Sequence, residues 1–314
     1  MKRCLLSFVF FAFLISTLLR AFEQNAWGQL ETKATNTGTK SIIKPGVKLR
    51  LNNSLQEFGI EALGPEHPNF EDEFKKLSLN ENSDKDRALS DAKSSSIFIR
   101  NKSEREIVGL ALIWTIPISG GREQMSPWRR SNSGALVGIA AIHPNLTGKW
   151  SIVKAGATQL FSYTNAEVFK ESNRRWNSDR FTPTAVNIDG VVFDDGTFIG
   201  PNQSFYFEEI SAEVKAKLDF LTLMKTSRRA GNSASQIIDQ FLSTTPEDLP
   251  TYLYGTPTTR FNSSEDAFEY FYLETMFVIR KGITSNRMKV SDESIVNVLT
   301  RPKPEDFKTL RKKS

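Results

Sequence analysis

Two stretches of this 314-residue chain gather arginine beside tryptophan. Residues 119–133 carry Arg122, Trp128, Arg129 and Arg130, and residues 165–180 carry Arg174, Arg175, Trp176 and Arg180. A guanidinium is a planar fork of donors that matches carboxylate and phosphate, and an indole adds a broad apolar face. Together they suit an anion, a sugar or a protein surface. Arg122, Trp128, Arg129, Arg130, Arg174, Arg175 and Trp176 are therefore the candidate binding residues. The competing expectation is structural: the indoles pin these segments to the sheet, while the arginines are solvated or paired with Glu167, Glu171 and Asp179.

Other chemistries find little support. Cys4 is the only cysteine, which excludes a Cys-ligated zinc site and any intramolecular disulfide. The two histidines, His67 and His143, each precede proline, which favours an extended or turn conformation, and both read as turn residues. No GxSxG, Walker, GxGxxG, HExxH or CxxC motif is present. No metal and no cofactor are expected. Carboxylates keep one enzymatic option open, since two of them at the right separation hydrolyse glycosides. Glu71-Asp72-Glu73 reads as a solvated helix face, and Asp194-Asp195-Gly196 as a hairpin turn. Asp189, Asp194, Asp195 and Asn202 lack the alternating donors of a calcium loop.

The amino terminus suggests where such chemistry would operate. Lys2 and Arg3 precede an uncharged apolar run of 15 residues, Leu5 to Leu19. That run is short for a membrane span and fits the core of a signal peptide, with cleavage after Ala26-Trp27-Gly28. An uncleaved anchor is the alternative. Cleavage would remove Lys2, Arg3, Cys4, Arg20 and Glu23, lowering the formal charge from +5 to +3. Export and so modest a charge argue against nucleic acid as a partner. A protein or an anionic ligand of the cell envelope is the expected partner class.

The elements that would hold these residues follow from periodicity. Residues 1–28 are the signal segment and 29–45 a Thr/Asn/Gly-rich linker. A β domain is expected over 46–200. Its strands are 47–51, 57–62, 96–100, 105–118, 135–142, one or two within 151–163, 184–188, 191–193 and 197–199. Tight turns are expected at Asp189-Gly190 and Asp194-Asp195-Gly196. If the strands run up and down, the two Arg/Trp segments are long loops at one end of the sheet, like the recognition loops of immunoglobulin domains. Beyond Gly200-Pro201 the period becomes helical over 205–229, 235–242, 264–281 and 291–299. Gly282 is the expected stop of the third helix, and 301–314 is a basic tail. The fold class is thus α+β: an immunoglobulin-like antiparallel β-sandwich followed by a helical C-terminal region.

The segment Asp189-Gly190-Val191-Val192-Phe193-Asp194-Asp195-Gly196-Thr197-Phe198-Ile199-Gly200-Pro201, leading into a long helix, resembles a pattern in uncharacterised exported bacterial proteins of the acidobacterial type. Ile97 to Ser103, followed by Ile107 and Leu110, is similar to their opening strand–turn–strand. The resemblance covers about residues 95–230 and implies an exported β-sandwich followed by helices, with no activity and no site residues. The expected function is non-enzymatic, in binding or envelope structure, with a secreted carboxylate hydrolase as the alternative.

Overall fold

The computed structural model describes residues 48–50, 53–77, 85–117, 121–131, 136, 151–163, 183–245, 247, 261–300 and 307–313. The strands are β1 (Lys48–Arg50), β2 (Ile60–Leu63), β3 (Ser96–Asn101), β4 (Ile107–Pro117), β5 (Glu123–Ser131), β6 (Thr158–Ser162), β7 (Ala185–Phe193), β8 (Thr197–Ile199) and β9 (Arg311–Lys313). The helices are α1 (Phe70–Lys75), α2 (Lys85–Ser95), α3 (Tyr206–Arg229), α4 (Ala234–Thr244), α5 (Ser264–Arg287) and α6 (Asp292–Leu299). Expected strand 135–142 and the loop 165–180 lie outside the described residues, apart from Leu136.

Helix and strand are mixed, and the helices gather towards the C-terminal side. A six-stranded sheet runs β5-β4-β7-β8-β9, with β1 also paired to β7, and a three-stranded antiparallel sheet runs β2-β3-β6. The larger sheet is mixed, not purely antiparallel, because β1 joins β7 and β9 joins β8 in parallel. β4 and β7 form its centre. Their near-continuous apolar sequences, IVGLALIWTIP and AVNIDGVVF, match burial on both faces. Leu110, Leu112 and Trp114 of β4 meet Ile97 and Ile99 of the smaller sheet in one core. Val108 and Ala111 turn to the other face and meet Tyr206, Ile210 and Val214 of α3. On the outer face of the smaller sheet, Phe70, Phe74 and Ala92 of α1 and α2 cover Leu63, Phe98 and Leu160. The order of layers is helices, small sheet, large sheet, helix.

The far half of α3 leaves the sheet and joins a helical core. Phe220 and Met224 pack there with Ile237, Ile238 and Phe241 of α4, Ile283 of α5, and Ile295 and Val296 of α6. α4 begins with a reciprocal cap: Ser233 Oγ accepts from the Gln236 N–H, and Gln236 Oε1 accepts from the Ser233 N–H. α5 does not stop at Gly282 but continues to Arg287. An interior glycine costs a helix roughly 1 kcal/mol. Burial of Ile283 in the helical core one residue later offsets that cost.

Two expected features of the β region change. Residues 119–133 are not a long loop, because β5 pairs with β4 antiparallel over nine positions, from Gly109 opposite Ser131 to Pro117 opposite Glu123. Pro127 sits inside β5, which is tolerated because β5 is the edge of the described sheet. Asp189-Gly190 is likewise no turn: β7 runs straight through it. Gly190 lies opposite Ala111 and Ile188 opposite Leu112, so Asp189 is the extra residue of a bulge. Asp194-Asp195-Gly196 does form the turn between β7 and β8.

Candidate functional site

Strand alternation sorts the first Arg/Trp segment. Trp128 lies opposite Leu112, which faces the smaller sheet, and its indole meets the Phe161 ring edge-on at 5.6 Å. Arg129 lies opposite Ala111, on the α3 face, and its side chain is only 11% exposed. Its guanidinium donates to a Glu209 carboxylate oxygen and to the Ser204 carbonyl, and stands 5.6 Å from the centre of the Phe271 ring. One arginine thereby joins β5 to the start of α3 and to α5. Arg130 is exposed, and its carbonyl accepts from the Tyr206 hydroxyl at 2.9 Å. Arg122 is exposed just ahead of β5. Arg174, Arg175 and Trp176 lie outside the described residues, so their distance from β5 is not part of this geometry.

Arg129 can reach α3 because a buried joint fixes where that helix starts. The Asp189 side chain leaves the β7 bulge fully buried. It accepts from the Gln203 N–H at 2.6 Å, the Ser204 N–H at 2.9 Å and the Ser204 hydroxyl at 2.5 Å. Its own carbonyl accepts from the Asn202 N–H at 2.9 Å. Gly200 makes this approach possible, since its φ is 126° and a Cβ there would lie 2.6 Å from that carbonyl oxygen. Asn202 is left-handed at φ 60°; its amide donates to Glu208, and its side-chain oxygen accepts from the Phe207 N–H. Asn202 so takes over one of the donors left free at the start of α3. Phe205 is also left-handed, at φ 59°, a strained conformation for so bulky a residue. Its ring packs edge-on against Phe261 at 5.6 Å.

The electrostatics around Arg129 follow from burial. Burial pushes the Glu209 carboxyl above its usual range; Arg129 opposes that shift and the charge of Glu213 adds to it. The Tyr206 hydroxyl is pushed well up by burial and by the same two glutamates, and it stays neutral. None of this leaves Arg129 or Tyr206 a free functional group for chemistry.

Three of the described carboxylates that such chemistry could draw on are tied down. Arg100 donates to Glu61 at 2.8 Å and to Glu73 at 2.7 Å. Partial burial alone would raise the Glu61 carboxyl, but Lys102 and Arg100 hold it below its usual value. Lys76, acting against burial and together with Arg100, does the same for Glu73. Glu73 is thus a buried member of an ion-pair network, not part of a solvated helix face. Partial burial raises Asp195, but the Thr197 backbone and hydroxyl and Arg105 overcome it. A general acid must hold its proton at working pH, and all three groups are shifted the other way. His67 is a turn residue whose Nδ1 accepts from the Asn69 N–H at 3.2 Å, and His143 lies outside the described residues. Among the described residues no group of three or more His, Cys, Asp or Glu is placed to hold a metal ion.

Compared with family models, curated proteins and solved structures, the chain matches none. Its site therefore rests on geometry alone. The sequence pointed to Arg129 but missed what it holds: Ser204, Tyr206, Glu209 and the Asp189 joint. The one available signal was the pair Gly200-Pro201 directly before an amphipathic helix, which marks a fixed turn but names none of its partners.

Proposed function

We propose that the protein is a non-enzymatic binding protein of the cell envelope, exported by its amino-terminal segment. It recognises a protein or an anionic ligand through the arginines around β5. The observation that carries this reading is the contrast within one strand. Trp128 and Arg129 anchor β5 to both of its neighbouring layers, while Arg130 and the nearby Arg122 remain exposed on that braced edge. A rigid edge presents guanidinium groups at little entropic cost on binding. Arg174, Arg175 and Trp176 are proposed to belong to the same surface. The lowered carboxyls of Glu61, Glu73 and Asp195 speak against the hydrolase alternative. The sharing of one core by two sheets supports the immunoglobulin-like sandwich as part of this proposal. The resemblance to exported bacterial proteins is kept on the same footing.

The test is affinity capture from the native envelope with the wild type and with Arg122→Glu/Arg130→Glu, leaving Trp128 and Arg129 intact. The reading expects a partner captured by the wild type and lost by a variant that melts like it. Equal capture by the two proteins would refute it.

A further inference from the structure

The opposite edge of the same sheet carries a second basic surface. The chain reaches β9 across the sheet–helix core, where Phe307 and Leu310 pack beside Phe198 and Tyr206. Backbone bonds fix its path: the Lys308 N–H donates to the Leu136 carbonyl at 2.8 Å, and the Arg311 N–H to the Gly196 carbonyl at 3.0 Å. β9 then runs parallel to β8, with Arg311 opposite Thr197, Lys312 opposite Phe198 and Lys313 opposite Ile199. Lys308, Arg311, Lys312 and Lys313 are all exposed, and no ion pair engages them among the described residues. Lys312 points to the α3 face, where its ammonium lies 5.8 Å from the centre of the Phe207 ring. Alternation sends Arg311 and Lys313 to the other face.

We propose that this β9 edge docks on an anionic phospholipid surface, with Lys308, Arg311 and Lys313 as the principal contacts. Charge complementarity identifies the occupant: several exposed cations that no acidic side chain pairs among the described residues match a layer of lipid phosphates, which offers many equivalent negative charges and demands no shaped pocket. A disordered basic tail would have to be ordered on binding, whereas Arg311 and Lys313 already stand on a hydrogen-bonded strand and the Lys308 backbone is bonded to Leu136. The surface is distinct from Arg122 and Arg130, which lie at or beside the other edge of the sheet. With β9 on the lipid, that edge faces away and stays open to a partner.

Each basic residue at an anionic leaflet strengthens binding about fivefold, so three contribute about 100-fold. The experiment is cosedimentation of the full chain, as purified from its host, with vesicles of phosphatidylcholine alone or mixed with phosphatidylglycerol. The wild type is expected to partition onto the mixed vesicles, to be released by high salt, and to bind the neutral ones far less. Lys308→Ala/Arg311→Ala/Lys313→Ala is expected to lose about 100-fold in partition onto the mixed vesicles. Lys308→Arg/Arg311→Lys/Lys313→Arg, which keeps the charges, is expected to bind like the wild type. All three proteins carry the same amino terminus, so any contribution of the Leu5–Leu19 segment cancels between them. Equal wild-type binding to both vesicle types would overturn the proposal even if the alanine variant failed to fold. So would undiminished binding by that variant, or these residues capturing an envelope protein with no vesicle binding.

Discussion

Replacing Asp189 tests whether one carboxylate sets the joint between sheet and helix. It is fully buried and receives three hydrogen bonds, two from backbone N–H groups and one from the Ser204 hydroxyl. Hydrogen bonds to a charged acceptor contribute about 1.5–3 kcal/mol each, and bonds sharing one acceptor do not add fully. Asp189→Ala removes all three and strands the N–H and hydroxyl of fully buried Ser204, so about 4 kcal/mol of stability is expected to go. Asp189→Asn keeps the shape but turns a donor towards donors, and costs about 2 kcal/mol. Ser204→Ala loses one bond and costs about 1 kcal/mol. With a urea slope of about 2.5 kcal/mol per molar, the unfolding midpoint drops by roughly 1.6 M for the alanine variant. Amide hydrogen exchange adds a local readout: the backbone from 202 to 207 is expected to lose protection first. A midpoint for Asp189→Ala within about 0.3 M of the wild type would refute this account of the joint. So would an order in which Ser204→Ala is the most damaging of the three.

Other expectations follow from nearby contacts. At Gly109 an added Cβ would lie 2.6 Å from the Tyr206 hydroxyl and 2.9 Å from Val192 Cβ. Gly109→Ala is therefore expected to cost about 1–3 kcal/mol in denaturant unfolding and to alter the Tyr206 environment in near-ultraviolet circular dichroism. Arg129→Met breaks a partly buried pair and strands Glu209, for a loss of about 3 kcal/mol. Adding Glu209→Gln recovers part of it, and a double-mutant cycle measures the coupling. Glu61 and Glu73 lie below their ordinary value of 4.5, so their charged forms stabilise the fold above that pH and cease to as pH falls through the lowered values. Arg100→Met should lower stability at neutral pH but change it little in strong acid. An equal loss at both pH values, read by thermal melts, would contradict the assignment.

Periodicity located most elements because burial in this fold is strongly layered. β4 is apolar at nearly every position since it has a sheet on one side and α3 on the other, and no helical spacing fits that run. α3 declared itself through Phe207, Ile210, Val214, Leu218 and Leu221, which recur at spacings of three and four, and the structure turns Ile210 and Val214 towards the sheet. What escaped detection depended on pairing partners remote in sequence. β5 carries Pro127 and six polar or charged residues in EQMSPWRRS, the composition of a loop. It is a strand because Ile107–Pro117 offers it a ladder. Asp-Gly at 189–190 has the chemistry of a turn, but Phe198 and Tyr206 close over Gly190 and hold the backbone extended. Charge pairing was equally hidden: Glu73 meets Arg100 across 27 positions of the chain, and Arg129 meets Glu209 across 80.

That dependence on register explains why the arginines around 122–130 divide as they do. Side chains of a strand alternate between faces, so a shift of one residue in the β4–β5 pairing would exchange Trp128 and Arg129. The indole would then meet the start of α3, and the guanidinium would be driven into a core built of Leu110, Leu112 and Phe161. An unpaired charge in that core costs far more than the edge ladder can return. These two partly buried residues therefore lock the register, and the lock leaves Arg130 outside. Its exposure is a consequence of how its neighbours pack: the binding proposed at Arg130 should fail in any variant that lets β5 slip, even with Arg130 itself intact.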